Sequence, residues 1–245
     1  MTINENCSNV IEHEFHFTLV DGKTCNAIAP NKASGKCYIS GCTQSQFNNS
    51  EAAKARPARS SLFSLRLSTL HAWIKFYECI LHIGYRLNCK DDEGANVYQM
   101  RTPEPKKMST AEKKRINVEF RKASGLIMDQ LRQGGGTSND GNTARRFFEN
   151  AKESAEMTGT GVNEQLIRRM NTILAFLSRG FSIDVEKFRE YTFETAKLYV
   201  ELYKWYPMPP IVHKVLLHGG DIINAFELPI GYFTEEAIES RNKFY

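Results

Sequence analysis

Hydrophobic and polar positions along this chain fall mostly into the helical period. Leu166, Ile167, Met170, Ile173, Leu174 and Leu177 lie on one stripe within residues 163–179. This is the spacing that turns one face of a helix toward a core, and Gly180 is a natural stop for it. A run from about Ser60 carries Leu62, Leu65, Leu70, Trp73, Ile74, Tyr77, Ile80, Leu81 and Gly84 at helical intervals, with basic residues between them. Another covers about Asp184 to Lys204, with Val185, Phe188, Leu198, Tyr199 and Leu202 inward. Pro207, Pro209 and Pro210 interrupt the chain, and a new helix starts near Pro210. Leu228-Pro229-Ile230-Gly231 breaks the pattern again, and Thr234 caps a last helix that runs to Tyr245.

The remaining segments read differently. Residues 14–20 alternate roughly between polar and apolar, Asp21-Gly22 supplies a turn, and Thr24 to Ile28 follow. That sequence predicts a β hairpin over 14–28. Residues 29–50 are rich in Pro, Ser, Asn, Gly and Cys and predict an irregular segment. Asp91 to Lys107 is polar, contains Pro103 and Pro105, and predicts a loop. Ser109-Thr110-Ala111-Glu112 has the capping-box pattern, so a helix is expected from there to about Gly125. Its face is basic, with Lys106, Lys107, Lys113, Lys114, Arg115, Arg121 and Lys122. Residues 132–142 form a glycine-rich loop that opens onto a helix at Thr143 to Phe148. The fold expected from the pattern is mainly α with a small β hairpin near the start.

Composition narrows the class. The chain has 245 residues, long enough to bury a sizeable core, and its 41% hydrophobic and 24% charged residues are an ordinary globular balance. No apolar run is long enough to cross a bilayer, and residues 1–15 lack the basic and apolar stretches of a secretory signal. A nuclear or cytosolic address is expected. The six cysteines, Cys7, Cys25, Cys37, Cys42, Cys79 and Cys89, are too sparse for a disulfide scaffold, leaving buried thiols or metal ligands. A net charge of +4 fits nucleic-acid binding without demanding it.

Three constellations could carry chemistry. Cys37 and Cys42 sit in the irregular loop, and His213 and His218 lie five apart on an expected helix. Two cysteines and two histidines are a common zinc set. Five residues apart, however, the histidines spread around an ideal helix, and ordinary thiols with half-buried histidines are the commoner occurrence of such spacing. Asn139, Gly141 and Asn142 lead into a helix bearing Arg145 and Arg146, where backbone N–H groups and guanidiniums could hold a phosphate. No Gly-Lys-Ser/Thr follows, so this is no nucleotide-binding P-loop, and a solvated basic surface fits the pattern equally well. Glu235, Glu236 and Glu239 enrich a first helical turn, and Glu239 pairs favourably with Lys243.

Read together, these motifs resemble one family. Asp21-Gly-Lys-Thr-Cys-Asn-Ala27, Cys37-Tyr-Ile39, Leu70-His-Ala-Trp73, the run Asn139 to Phe148, Met208 to Gly219, Leu228 to Gly231 and Glu235 to Lys243 occur in one order. The order resembles the C-terminal part of Transib transposases and, more distantly, the catalytic subunit of the V(D)J recombinase. The resemblance covers about residues 14 to 245.

It implies the large helical insertion of an RNase H-like DDE transposase, with only the last piece of the RNase H-like core. The expected division is 1–50 for the hairpin and zinc loop, 51–225 for the helical insertion, and 226–245 for the start of the catalytic-glutamate helix. Glu239 falls on the glutamate of the triad, which works with two aspartates on Mg²⁺ or Mn²⁺. Those aspartates lie upstream of the matched region, before Met1, and the last helix continues beyond Tyr245 in the family. The resemblance therefore implies a fragment inactive in cleavage by itself, or a domesticated DNA- or protein-binding module.

The family's structural zinc site has an early Cys-x2-Cys and a late His-x4-His. Cys37, His213 and His218 fall on it. The second cysteine position is Ser40, a poor zinc ligand, and Cys42 is the candidate to replace it. The run Asn139, Gly141, Asn142, Arg145 and Arg146 implies contacts to a DNA backbone. Transposon terminal repeats as the DNA, a homodimer, a nuclear address and no membrane association complete the expectation.

Overall fold

A computed structural model describes residues 22–232 except for 30, 32, 34, 66, 91–95, 97–102, 132–136, 150, 157–159 and 227. Nine α-helices follow one another among the described residues: α1 (Gly22–Ile28), α2 (Ser50–Lys54), α3 (Thr69–Leu87), α4 (Pro103–Ser124), α5 (Gly141–Glu149), α6 (Ala151–Glu156), α7 (Glu164–Leu177), α8 (Val185–Tyr203) and α9 (Pro210–Asn224). The described residues contain no strand, only three isolated bridges, one of which joins Lys36 to Thr43. The mainly α expectation holds.

Helix α3 is the hub, in contact with α4, α5, α7 and α9. Ser68 caps it by accepting a hydrogen bond from the His71 N–H at 3.2 Å. Its Leu70, Trp73, Phe76, Tyr77, Cys79, Ile80, Leu81 and Ile83 are all buried. A helix apolar around most of its circumference is one that other helices surround. The six-residue stripe of α7 is completely buried, each side chain contributing about 1.5–3 kcal/mol of transfer free energy.

The helices α8 and α9 form the most extensive helix pair. Glycine allows it: a Cβ on Gly220 would overlap the Arg189 side chain, and Arg189 instead reaches Asp221 at 2.8 Å. The loop between the two helices is held from a distant segment. Asn48 donates to the Lys204 and Tyr206 carbonyls at 3.0 and 2.9 Å and accepts from the Met208 N–H at 2.9 Å. This fixes the entry into α9, where Pro210 occupies the first helical turn.

Two expectations need correction. Residues 24–28, expected as the second strand of a hairpin, lie in α1, and the first strand lies outside the described residues. Cys25 and Ala29, four apart, are both buried while Ile28 is about half exposed, a helical rather than an alternating pattern. A helix satisfies its backbone donors internally, and no strand among the described residues offers this segment a ladder. Helix α4 begins at Pro103 rather than near Ser109. Prolines in a first turn lack only N–H groups that have no intrahelical partner, so Pro103 and Pro105 start the helix instead of excluding it. The helix ends as expected, with Gly125 at φ 70° donating to the Arg121 carbonyl at 2.9 Å.

Candidate metal centre

Residues 36–43 make a tight reversal. The Cys37 N–H donates to the Cys42 carbonyl and the Gly41 N–H to the Cys37 carbonyl, both at 2.8 Å. Gly41 takes φ 70°, the left-handed region that its missing side chain permits. The turn presents Cys37, Tyr38, Ile39, Ser40 and Cys42 inward, all buried.

Helix α9 supplies the opposite wall. His213 and His218 are buried at 0% and 3% exposure. Five residues of α-helix separate them by about 7.5 Å along the axis and 140° around it. The helix is unbroken between them, yet the imidazoles reach toward one another, with ring centroids 5.5 Å apart and planes at 75°. Phe47 stacks on His213, ring centroids 4.1 Å apart.

The donors converge. The Cys37 sulfur and one ring nitrogen from each of His213 and His218 all lie within 4.8 Å of one another. Zinc bonds of 2.0–2.3 Å place neighbouring ligand atoms about 3.5 Å apart in a tetrahedron, a small side-chain adjustment from this arrangement. Both nitrogens of His213 and Nε2 of His218 are buried without a hydrogen-bond partner. A buried orphan of this kind costs about 1–3 kcal/mol, and a metal bond to each ring removes part of that cost.

Electrostatics prepare the rings as ligands. Burial pushes His213 down to about 3, with His218 adding to the shift. Burial likewise lowers His218 to about 4, opposed by the Asp221 carboxylate and reinforced by Lys214. Both imidazoles are thus neutral near pH 7, the form that binds metal. Lys214, adjacent to His213, is buried and donates to the Tyr38 hydroxyl at 3.1 Å. This Lys214–Tyr38 pair and Phe47 are features that the sequence pattern did not signal.

The structure sorts the other predicted site residues. Cys42 is fully buried, but its sulfur does not join the gathered donors. The reversal turns at Ser40–Gly41 and pairs Cys42 with Cys37 through backbone groups. Glu239 lies outside the described residues.

In the glycine-rich segment, Asn139 is turned inward. It accepts from the Asp129 N–H at 2.8 Å and donates to Glu78 at 3.4 Å. Gly141 lets α5 approach α3, since a Cβ there would overlap the Leu70 side chain. Asp140 caps α5, accepting from the Thr143 N–H at 2.8 Å. Arg145 lies 5.3 Å over the Trp73 ring, while Asn142 and Arg146 are exposed. On α4, Lys113 pairs with Asp129 and Arg115 with Glu112 and Glu119. Lys106, Lys107, Lys114, Arg121 and Lys122 are exposed.

No protein-family model matches the sequence, and no curated protein matches it.

Proposed function

We propose that this chain is the zinc-clasped helical unit of a Transib-type DDE transposase, a unit that contacts the DNA on which the complete enzyme acts. The observation that carries the reading is the buried cluster of Cys37, His213 and His218. The residues come from distant parts of the chain, and they are three of the positions that the resemblance assigns to the family's zinc site. In this role zinc ties the reversal at 36–43 to α9 and so closes the helical body. A structural metal adds its binding free energy to folding.

The DNA contacts fall to the exposed cations, Arg146 on α5 and the lysines of α4, which neutralise backbone phosphates. Gly141 serves the packing of α5 on α3, and Asn139 holds the Asp129 N–H and Glu78. Glu239 acts as the family's catalytic glutamate, one ligand of a site that holds Mg²⁺ or Mn²⁺ with two aspartates. The DNA is a transposon terminal repeat, the assembly is a homodimer and the address is nuclear.

Metal analysis of the purified protein tests the reading. One zinc per chain is expected, and both Cys37→Ala and His218→Ala should lose it. A wild-type protein that melts cooperatively but holds no zinc would remove the clasp and the observation on which the family assignment leans.

A further inference from the structure

We infer that the outward face of α4 is a phosphate ridge that crosses duplex DNA without reading its sequence, with Lys107, Lys114 and Arg121 as its cations. The inference rests on the DNA reading above and deepens it, naming the face, the form of the nucleic acid and the mode of contact.

The three cations lie seven residues apart on one unbroken helix, Pro103–Ser124. Seven residues fall about 20° short of two full turns, so the three stay on one face, at intervals of about 10.5 Å along the axis. All three are exposed, with Thr110 and Val118 between them on the same face, and exposed Lys106 and Lys122 widen it at its ends. The opposite face packs inward: Ile116 and Phe120 are buried, and α4 lies against α3.

The acidic side chains are drawn off this face. Glu112 and Glu119 both bind Arg115 on one flank, at 2.7 and 2.9 Å. Asp129 pairs with Lys113 on the other flank at 2.7 Å. The remaining carboxylate of α4, Glu104, stands in the first turn, ahead of the row. Among the described residues no carboxylate pairs with Lys107, Lys114 or Arg121.

The chemistry of the face selects duplex DNA among anionic partners. Protein interfaces are depleted of lysine and centred on aromatic anchors. A helix that lies on a membrane sets a broad apolar face beside its cations, and the exposed large apolar side chains of α4 are Met108 and Val118 alone. Single strands are held by stacking on aromatic rings, and the one aromatic residue of α4, Phe120, is buried. Groups suited to reading bases are engaged within the protein: Arg115 by its two glutamates, and Asn117 by the Tyr85 hydroxyl, which donates to it at 3.3 Å. Lysines meet phosphates as point charges, with no preference for sequence.

A straight helix does not follow a winding strand; it crosses it. Lys107 to Arg121 spans about 21 Å, more than the width of the major groove, about 12 Å, or of the minor groove, about 6 Å. Laid across a groove, the ridge reaches backbone on both sides.

Binding to two short duplexes of equal length and unrelated sequence, measured over a range of salt, tests this. The wild-type chain should bind both equally, and more tightly than either single strand. Lys107→Gln, Lys114→Gln and Arg121→Gln should each reduce the slope of log affinity against log salt by about 0.9, and the triple variant by about 2.7. Arg168→Gln on α7 should leave the slope unchanged, and thermal melts of all these variants should match the wild type. An unchanged slope in the three α4 variants, with a reduced one in Arg146→Gln, would overturn the ridge and leave the DNA reading standing. A preference above about tenfold for one duplex, or tighter binding to single strands, would overturn the mode of contact. Tighter binding to phosphatidylserine vesicles than to either duplex would give the face to a membrane and overturn the inference. A folded wild type that binds no DNA at low salt would overturn the DNA reading and this inference with it.

Discussion

The Phe47 ring lies face to face on the His213 imidazole, centroids 4.1 Å apart and planes 17° from parallel. Phe47 is fully buried and follows directly on the one-turn helix Gln44–Gln46, so it carries the cysteine reversal onto α9 without any metal. A ring held on one face by Phe47 can aim a nitrogen only within the plane that the stack allows. The fixed orientation is part of what makes His213 a usable ligand.

Replacing Phe47 by Ala should therefore act twice. The missing ring leaves a cavity and costs about 3–5 kcal/mol of stability. The freed imidazole should also weaken metal binding by about ten- to hundredfold. Phe47→Leu should recover much of the stability and little of the affinity. Denaturant melts beside a competitive zinc titration separate the two effects. Equal recovery of both by leucine would show that the stack only fills space.

The close approach of α5 to α3 gives a second expectation. Gly141→Ala places a methyl group where Leu70 Cδ1 already sits. Overpacking of this kind costs about 1–3 kcal/mol. Combining it with Leu70→Ala should cost less than the sum of the two single changes, because the smaller side chain admits the methyl group. A thermal-melt cycle measures the coupling. Strict additivity would mean that the helices move apart instead.

How far the sequence reveals each element varies with the physics. The α7 stripe is complete in the sequence, because a helix with one buried face writes its period there directly. Tyr77 and Trp73 of α3 are equally plain. In α8, Thr192, Phe193, Thr195 and Ala196 are buried, although the pattern points to Val185, Leu198 and Leu202 as inward. Several partners on different sides blur a single stripe. The hairpin expectation fails because Asp21-Gly22 is a local turn signal, whereas strand formation depends on partners elsewhere. The start of α4 is missed because proline reads as a breaker at a position where it is a starter. Convergence of Cys37 with His213 and His218 is implied by the family resemblance, not by spacing. The stacking of Phe47 and the burial of Lys214 against Tyr38 have no signal, since both depend on tertiary placement.

Acid should unfold the metal-free protein through its two buried histidines. Their ordinary value is 6.5, and in the folded chain burial lowers His213 to about 3 and His218 to about 4. Above pH 6.5 the rings are neutral in both states and contribute no pH dependence. Below it the unfolded chain takes up protons that the folded chain refuses, so stability falls with pH until about 3–4. The loss is about 2 kcal/mol per ring at pH 5. After chelation, the melting temperature should drop steadily over this window. His218→Gln should remove about half of the slope. An unchanged slope in that variant would assign the acid sensitivity to other groups.

DNA binding should depend on the cations that the structure leaves outward. Arg146 and Asn142 are exposed on α5, whereas Gly141 serves the packing of α5 on α3 and Asn139 holds the Asp129 N–H. Arg146→Glu should weaken binding to duplex DNA nearly uniformly across sequences. Each phosphate left without its cation reduces the slope of log affinity against log salt by about 0.9. Lys114→Glu on α4 should do the same if that face tracks the backbone. Asn139→Ala should instead lower stability, because the Asp129 N–H loses its acceptor. Arg168 is a suitable control, being exposed and already paired with Glu164 at 2.6 Å on α7. Charge reversal there changes net charge by the same amount without touching α4 or α5. If Arg168→Glu weakens binding as much as Arg146→Glu, the attraction is general electrostatics and not an interface. If wild-type protein fails to bind even at low salt, DNA drops out of the function proposed for this chain.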